Sequence, residues 1–239
     1  MMTDNTGKTI AVVAGALIDA DGRYMLGSRP AGKPYAGYWE FPGGKVEAGE
    51  TLFAALAREF DEEMGVRVQH ATPWLTRVHH YEHASVHLTF FRVWSWAGTP
   101  QPHEGQAFAW QKPGEESVAP MLPANGPILR ALHLPLSLRV AADGRFAVGE
   151  EAGALVDLAG AQRAGRPPTP WAGARVRSAA ELAEAARLGF DFALADAVAG
   201  WDAFDRVVSA GWPLPVFAAG ATLSAALEHG AHGVLEAGA

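Results

Sequence analysis

Three glutamates, Glu59, Glu62 and Glu63, fall at i, i+3 and i+4, with Arg58 beside them and Glu50 a short way upstream. On a helix these positions are neighbours, and adjacent carboxylates repel one another. Such crowding calls for a cation. A hard divalent ion with oxygen ligands answers it, and Mg²⁺ in particular takes a few carboxylates together with substrate phosphate oxygens and water. The chemistry within reach is therefore metal-assisted chemistry on a polyphosphate. Arg58 can orient a neighbouring carboxylate, and Glu50 is the partner the spacing offers.

The element that must carry these acids is also legible. Leu52, Phe53, Leu56, Phe60 and Met64 recur at helical intervals, so the pattern predicts a helix over residues 52–64 with one buried face. Gly65 supplies its C-terminal stop, and Gly44 begins the turn that leads in. A cluster of charges usually marks a solvated helix face. Here a glycine turn, an arginine and a terminating glycine coincide with the acids, which favours a site.

The segment from Gly44 to Val66, GKVEAGETLFAALAREFDEEMGV, resembles the Nudix box of nucleoside diphosphate-linked hydrolases. The resemblance implies a loop, helix and loop on an α/β/α sandwich with a mixed sheet. It also implies Mg²⁺, or Mn²⁺, held by Glu59, Glu63 and the Gly43 carbonyl, with Glu62 in the same cluster. The flanking runs Trp39-Glu40-Phe41-Pro42-Gly43-Gly44-Lys45, Trp96-Ala97-Gly98-Thr99-Pro100, Glu104-Gly105-Gln106 and Pro123-Ala124-Asn125-Gly126-Pro127-Ile128 are similar to the MutT branch. Enzymes of that branch hydrolyse 8-oxo-dGTP to the monophosphate and pyrophosphate, a DNA repair role that keeps oxidised guanine out of replication.

The resemblance assigns catalytic roles to Glu59, Glu62, Glu63, Glu104, Arg58 and Glu50. Glu104 takes the place of a loop glutamate, as metal ligand or general base. Arg29, Phe41, Lys45 and Asn125 become substrate-binding candidates. Asn125 matches an asparagine that reads the oxidised base, and an amide carries both the donor and the acceptor a purine edge requires. Taken alone, Asn125-Gly126 is a strong turn signal. Where such enzymes often carry an arginine before a later strand, this chain has Ala84. Another nucleotide or nucleotide sugar as substrate, and a non-catalytic nucleotide sensor, are the alternatives.

Of the 239 residues 49% are hydrophobic and 19% charged, with interrupted apolar runs. No segment reads as a membrane span, and residues 1–8 lack the apolar core of a secretion signal. The absence of cysteine excludes disulfides and thiolate chemistry. A cytoplasmic protein is the expectation. The net charge of -7 argues against a grip on polymeric DNA or RNA and leaves free nucleotides as partners.

Two domains are expected, residues 1–134 and 135–239. In the first, strands are expected over 9–18, 23–28, 74–81 and 86–96, a turn at Asp21-Gly22, and a helix over 128–134. His79, His80, His83 and His87 have no regular ligand spacing and read as exposed hairpin positions. Trp39 and Trp110 could stack on a base, whereas Trp94 and Trp96 read as packing.

After Pro135, β runs at 136–140, 172–176, 190–195 and 214–218 alternate with helical runs at 179–188, 199–210 and 223–229, while 150–164 reads as one further segment. Residues 163–170 read as a linker. Ser178-Ala179-Ala180-Glu181-Leu182, Gly189-Phe190-Asp191-Phe192-Ala193, Pro213-Leu214-Pro215-Val216-Phe217-Ala218 with Gly220, and Gly230-Ala231-His232-Gly233-Val234 resemble the C-terminal part of a thiamine phosphate synthase-type barrel. About a hundred residues cannot close an eightfold barrel, which needs roughly 200 or more. A half β/α-barrel with open edges is expected, covered by the first domain or by a second copy, so a homodimer is one solution. The shortened loop at 195–200 and Arg177, where that family commonly has histidine, argue against thiamine phosphate synthesis.

Overall fold

The computed structural model describes residues 9–80, 85–198 and 200–237. Residues 1–8, 81–84, 199, 238 and 239, among them the expected positions His83 and Ala84, lie outside them. By its contacts the chain divides into two units, Met1–Leu129 and Arg130–Ala239.

The first unit runs β1 (Ile10–Leu17), β2 (Tyr24–Ser28), β3 (Trp39–Glu40), β4 (Gly43–Lys45), α1 (Leu52–Met64), β5 (Arg67–His80), β6 (Ser85–Ala97) and β7 (Phe108–Gln111). A 3₁₀ turn at Pro123–Asn125 then leads into α2 (Gly126–Leu132), which carries the boundary. One sheet has the order β4-β1-β6-β5 and the other β3-β2-β7. The first is mixed, because β1 pairs parallel with β6 but antiparallel with β4.

The helix α1 has the expected bounds. Thr51 caps it by accepting the Ala54 N–H at 3.1 Å, worth about 1 kcal/mol. Gly65 ends it in the left-handed conformation, φ 64°, where a side chain would be strained. Leu56, Phe60 and Met64 are fully buried with Val13, Leu17, Phe91 and Val93 of the sheet. Each such side chain contributes about 2 kcal/mol of apolar burial. Of the other apolar positions on the pattern, Leu52 and Phe53 stay exposed.

The strand expected over 74–81 begins earlier, at Arg67. Register shifts between Val68 and His70, His70 and Ala71, and Pro73 and Leu75 break its alternation, hiding it from a period-two reading. Pro73 is tolerated because β5 is an edge strand. His79 and His87 do lie on the β5–β6 hairpin, opposite Val86 and Val78. On β6, Arg92 is 1% exposed with its guanidinium 5.3 Å from the Trp74 ring and 5.0 Å from Trp94. Burial pushes its pKa down to about 9, so it stays charged at neutral pH.

The second unit runs β8 (Ser137–Val140), β9 (Arg145–Val148), β10 (Glu151–Asp157), α3 (Leu158–Ala164), β11 (Trp171–Arg175), α4 (Ala179–Arg187), β12 (Phe192–Asp196), α5 (Trp201–Val208), β13 (Val216–Ala219), α6 (Leu223–Glu228) and β14 (Gly233–Ala237). Its seven strands take the order β8-β14-β13-β12-β11-β10-β9. The two end strands, β8 and β9, lie against each other, so the sheet is nearly closed and barrel-like. The two edges expected to stay open in a half barrel thus come together, with no ladder joining β8 to β9 among the described residues. A short turn folds β9 back from β8, and β9 pairs antiparallel with β10, completing the circuit without further β/α units.

Period-two alternation fills both sides of this sheet. Trp171, Phe192, Leu194, Phe217, Phe146 and Leu138 form one cluster, while their neighbours Ala172, Ala193, Ala195, Val216 and Ala218 pack with helix residues such as Leu182 and Phe204. The segment read as one run at 150–164 is a strand followed by a helix. The linker at 163–170 lies inside this unit and is pinned: Arg166 donates to the carbonyls of Pro167 and Thr169 and pairs with Asp191 at 2.6 Å.

Candidate active site

Backbone from the glycine turn approaches two of the acids on α1. Gly43, at the start of β4, has φ 148°, and a Cβ there would lie 2.2 Å from the Val13 carbonyl oxygen. Only glycine lets the turn lie this close to β1. Its N–H donates to Glu63 Oε2 at 3.2 Å. At Gly44 a Cβ would meet the Glu59 carboxylate at 2.3–2.4 Å, so the missing side chain is the space that carboxylate occupies.

Arg58 is the cation among the acids. Its Nε and Nη2 chelate Glu50 at 2.8 and 3.0 Å, Nη1 donates to Glu59 at 2.9 Å and Glu62 at 3.1 Å, and Nη2 also reaches the Lys45 carbonyl at 2.9 Å. Hydrogen bonds from Arg58 and the Glu47 N–H pull the Glu50 pKa down to about 2. A planar fork binding several oxygens fixes direction as well as charge. Glu59 is well covered, its side chain 16% exposed, whereas Glu62 is 57% exposed at the rim.

Glu63 has the opposite environment. Burial pushes its carboxyl up to about 7, the charges of Glu59, Glu104 and Glu40 add to that, and the Gly43 N–H opposes it. Glu104 arrives from the loop before β7 and pairs with Lys33 at 2.6 Å. Gln106 fixes that loop: its Oε1 accepts the Glu104 N–H at 2.7 Å and its Nε2 donates to the Glu63 carbonyl at 2.8 Å. Sequence reasoning gave no role to Lys33 or Gln106. The only signal was Gln106's place in the Glu104-Gly105-Gln106 run.

The donors Glu59, Glu63, Glu104 and the Gly43 carbonyl are all hard oxygens, and the like-charge strain on Glu63 is the kind a divalent cation relieves, so the residues fit such an ion. Among the described residues, no three His, Cys, Asp or Glu side chains already converge as a metal-holding group. Arg58 Nη1 draws Glu59 and Glu62 to itself, while Glu63 is held apart from them by the Gly43 N–H.

The substrate-binding candidates are placed unequally. Arg29 is tied to Glu40 at 2.5 and 2.7 Å and to the Pro34 carbonyl at 2.6 Å. Lys45 is exposed on β4. Phe41 is 3% exposed and packs between Tyr24 and Phe90, so its ring belongs to the core. Asn125 is 4% exposed, and its Nδ2 donates to the Trp39 carbonyl at 3.1 Å, which orients the amide. Trp110 stacks on Trp96 at 6.4 Å.

The pattern of the NUDIX domain matches residues 13–131. The CTP pyrophosphohydrolase of Escherichia coli is 40% identical over 134 residues, covering 56% of this chain and 96% of the relative. The 8-oxo-dGTP diphosphatase of Haemophilus influenzae is 34% identical over 125 residues, covering 52% of this chain and 92% of the relative. Among solved structures, MutT from a study of Aliivibrio salmonicida and Vibrio cholerae matches with 32% identity and a TM-score of 0.46, over 52% of this chain and 97% of the other. Among the described residues no helix is long and apolar enough to cross a membrane.

Proposed function

The chain belongs to the Nudix family and is a Nudix hydrolase, and from that premise we propose a Mg²⁺-dependent nucleoside triphosphate pyrophosphohydrolase with 8-oxo-dGTP as its leading substrate. The observation that carries the reading is the Glu63 carboxyl, buried against the Gly43 N–H one helical turn beyond Glu59. Glu59, Glu63 and the Gly43 carbonyl would hold the ion, with Glu62 and Glu104 in reserve; Mn²⁺ suits the same donors. When bound, the metal neutralises diphosphate oxygens.

Arg58 keeps Glu50 and Glu59 aligned, so little reorganisation is left for the reaction. A carboxylate takes a proton from the attacking water, with Glu104 the candidate. The water oxygen bonds to the β-phosphorus, the bond from that phosphorus to the α–β bridging oxygen breaks, and nucleoside monophosphate and pyrophosphate leave. The oriented Asn125 amide would present donor and acceptor to the base, and Lys45, exposed on β4, would supply counter-charge to the phosphates, with Arg29, paired to Glu40, as the second candidate.

A second reading keeps the reaction and changes the base. It rests on the 40% identity to a CTP pyrophosphohydrolase. A turnover panel of 8-oxo-dGTP, dGTP and CTP with product identification separates the two. Preference for 8-oxo-dGTP that falls about tenfold or more in Asn125→Ala supports the first. Preference for CTP overturns it. Loss of pyrophosphate release in Glu63→Gln separates an enzyme from a nucleotide sensor.

For the second unit, we keep the thiamine phosphate synthase-type ancestry as a proposal resting on its sequence motifs, without that activity. Sedimentation of the full chain tests the homodimer proposed through it.

A further inference from the structure

The cations around the acids are held very differently. Arg58 is bound by three carboxylates and a carbonyl, and Arg29 by Glu40 and a carbonyl. Lys33 makes a single side-chain pair, to Glu104 at 2.6 Å, with both side chains roughly half exposed, at 49% and 42%. An exposed pair of this kind is worth little and exchanges readily. Lys33 sits in the loop between β2 and β3, whose base is closed by the Arg29 N–H to the Tyr38 carbonyl at 2.8 Å and the Gly37 N–H to the Arg29 carbonyl at 2.9 Å.

The partner, Glu104, is fixed on its backbone side. Gln106 ties the Glu104 N–H to the end of α1, so the peptide is held there independently of the half-exposed side chain, which pairs with Lys33. The bond to Glu104 raises the Lys33 pKa against the opposing pull of burial, and the charge of Glu63 adds to the rise.

We propose that Lys33 is a phosphate-recognising residue in a substrate-operated latch: its ammonium holds Glu104 in the free enzyme, exchanges that carboxylate for the terminal phosphates of the nucleotide, and so releases Glu104 for the reaction. The exchange follows from charge. A polyphosphate offers more negative charge to one ammonium than a lone carboxylate does, and in the same site Arg29 and Arg58 are already committed to carboxylates. The proposal rests on the pyrophosphohydrolase reading, because only a polyphosphate supplies the competing anion.

The test uses the full chain and titrates inorganic pyrophosphate, with Mg²⁺ present, into wild type, Lys33→Met and Lys33→Arg by calorimetry, with nucleoside monophosphate as the second probe. Pyrophosphate affinity is expected to fall about tenfold in Lys33→Met and to recover largely in Lys33→Arg, while monophosphate affinity stays unchanged. In turnover, KM for the triphosphate should rise more than kcat falls. Unchanged pyrophosphate affinity in a folded Lys33→Met protein overturns the latch, as does an equal loss for both probes. A wild type that releases no pyrophosphate from any nucleotide overturns the functional reading instead, and the calorimetric comparison still decides the latch.

Discussion

Replacing Gly44 with alanine probes the position of one carboxylate without touching a charged residue. The added Cβ would lie 2.3 Å from the Glu59 carboxyl carbon and 2.3 and 2.4 Å from its oxygens. Ordinary contacts are about 3.5–4.0 Å, so the carboxylate must retreat by about 1 Å or more. The obstacle is the far end of a flexible side chain, so the fold should absorb the change at about 1 kcal/mol of rotamer strain. Catalysis should be far less tolerant. A misplacement of about 1 Å costs on the order of a hundredfold, or about 2.7 kcal/mol of transition-state stabilisation. Pyrophosphate release at saturating Mg²⁺ gives kcat/KM, and a thermal melt gives stability. Gly160→Ala is the control, because a Cβ there meets nothing within 4 Å and helix α3 should gain slightly. Wild-type activity in Gly44→Ala, with the melt unchanged, would refute the assignment of Glu59 to the reacting centre.

Two further perturbations test the acid site and the second unit. In chelator-treated protein, the Glu63 pKa of about 7 lies above its ordinary 4.5, so its contribution to stability is full below 4.5 and lost as pH rises through 7. The loss is at most about 3 kcal/mol, less whatever solvent screens. Melts between pH 4 and 8 should follow that slope, and Glu63→Gln or added Mg²⁺ should flatten it; identical profiles for wild type and Glu63→Gln would contradict the assigned environment. In the second unit, a Cβ at Gly173 would meet the Phe192 ring at 2.3, 2.4 and 2.9 Å, with Phe146 and Phe217 packed edgewise against that ring. Gly173→Ala should destabilise by about 1–3 kcal/mol in denaturant titration, and a neutral result would contradict the close packing of that ring.

The α1 segment was legible because everything that defines it is local. Its apolar period, the Thr51 cap, the Gly65 stop and the acids on one face all lie within about four turns of chain, and 3.6-residue geometry converts spacing directly into position. The same holds for most β/α alternation after Pro135. Strands β3, β4, β7 and β9 are two to four residues long, too short for a period to stand out in the sequence; they exist because a partner strand is waiting.

Sequence alone thus determined which residues share the acidic helix face, that Arg58 and Glu50 could pair, and that a nucleotide-type polyphosphate chemistry was within reach. Tertiary structure decided the rest: that Gly43 donates to Glu63, that Lys33 meets Glu104 across 71 residues, that Gln106 spans 43 to the Glu63 carbonyl, that Phe41 goes to the core, and that β8 comes to lie against β9. These contacts depend on loop closure and strand register, which are settled by burial over the whole unit and leave no periodic trace in the chain.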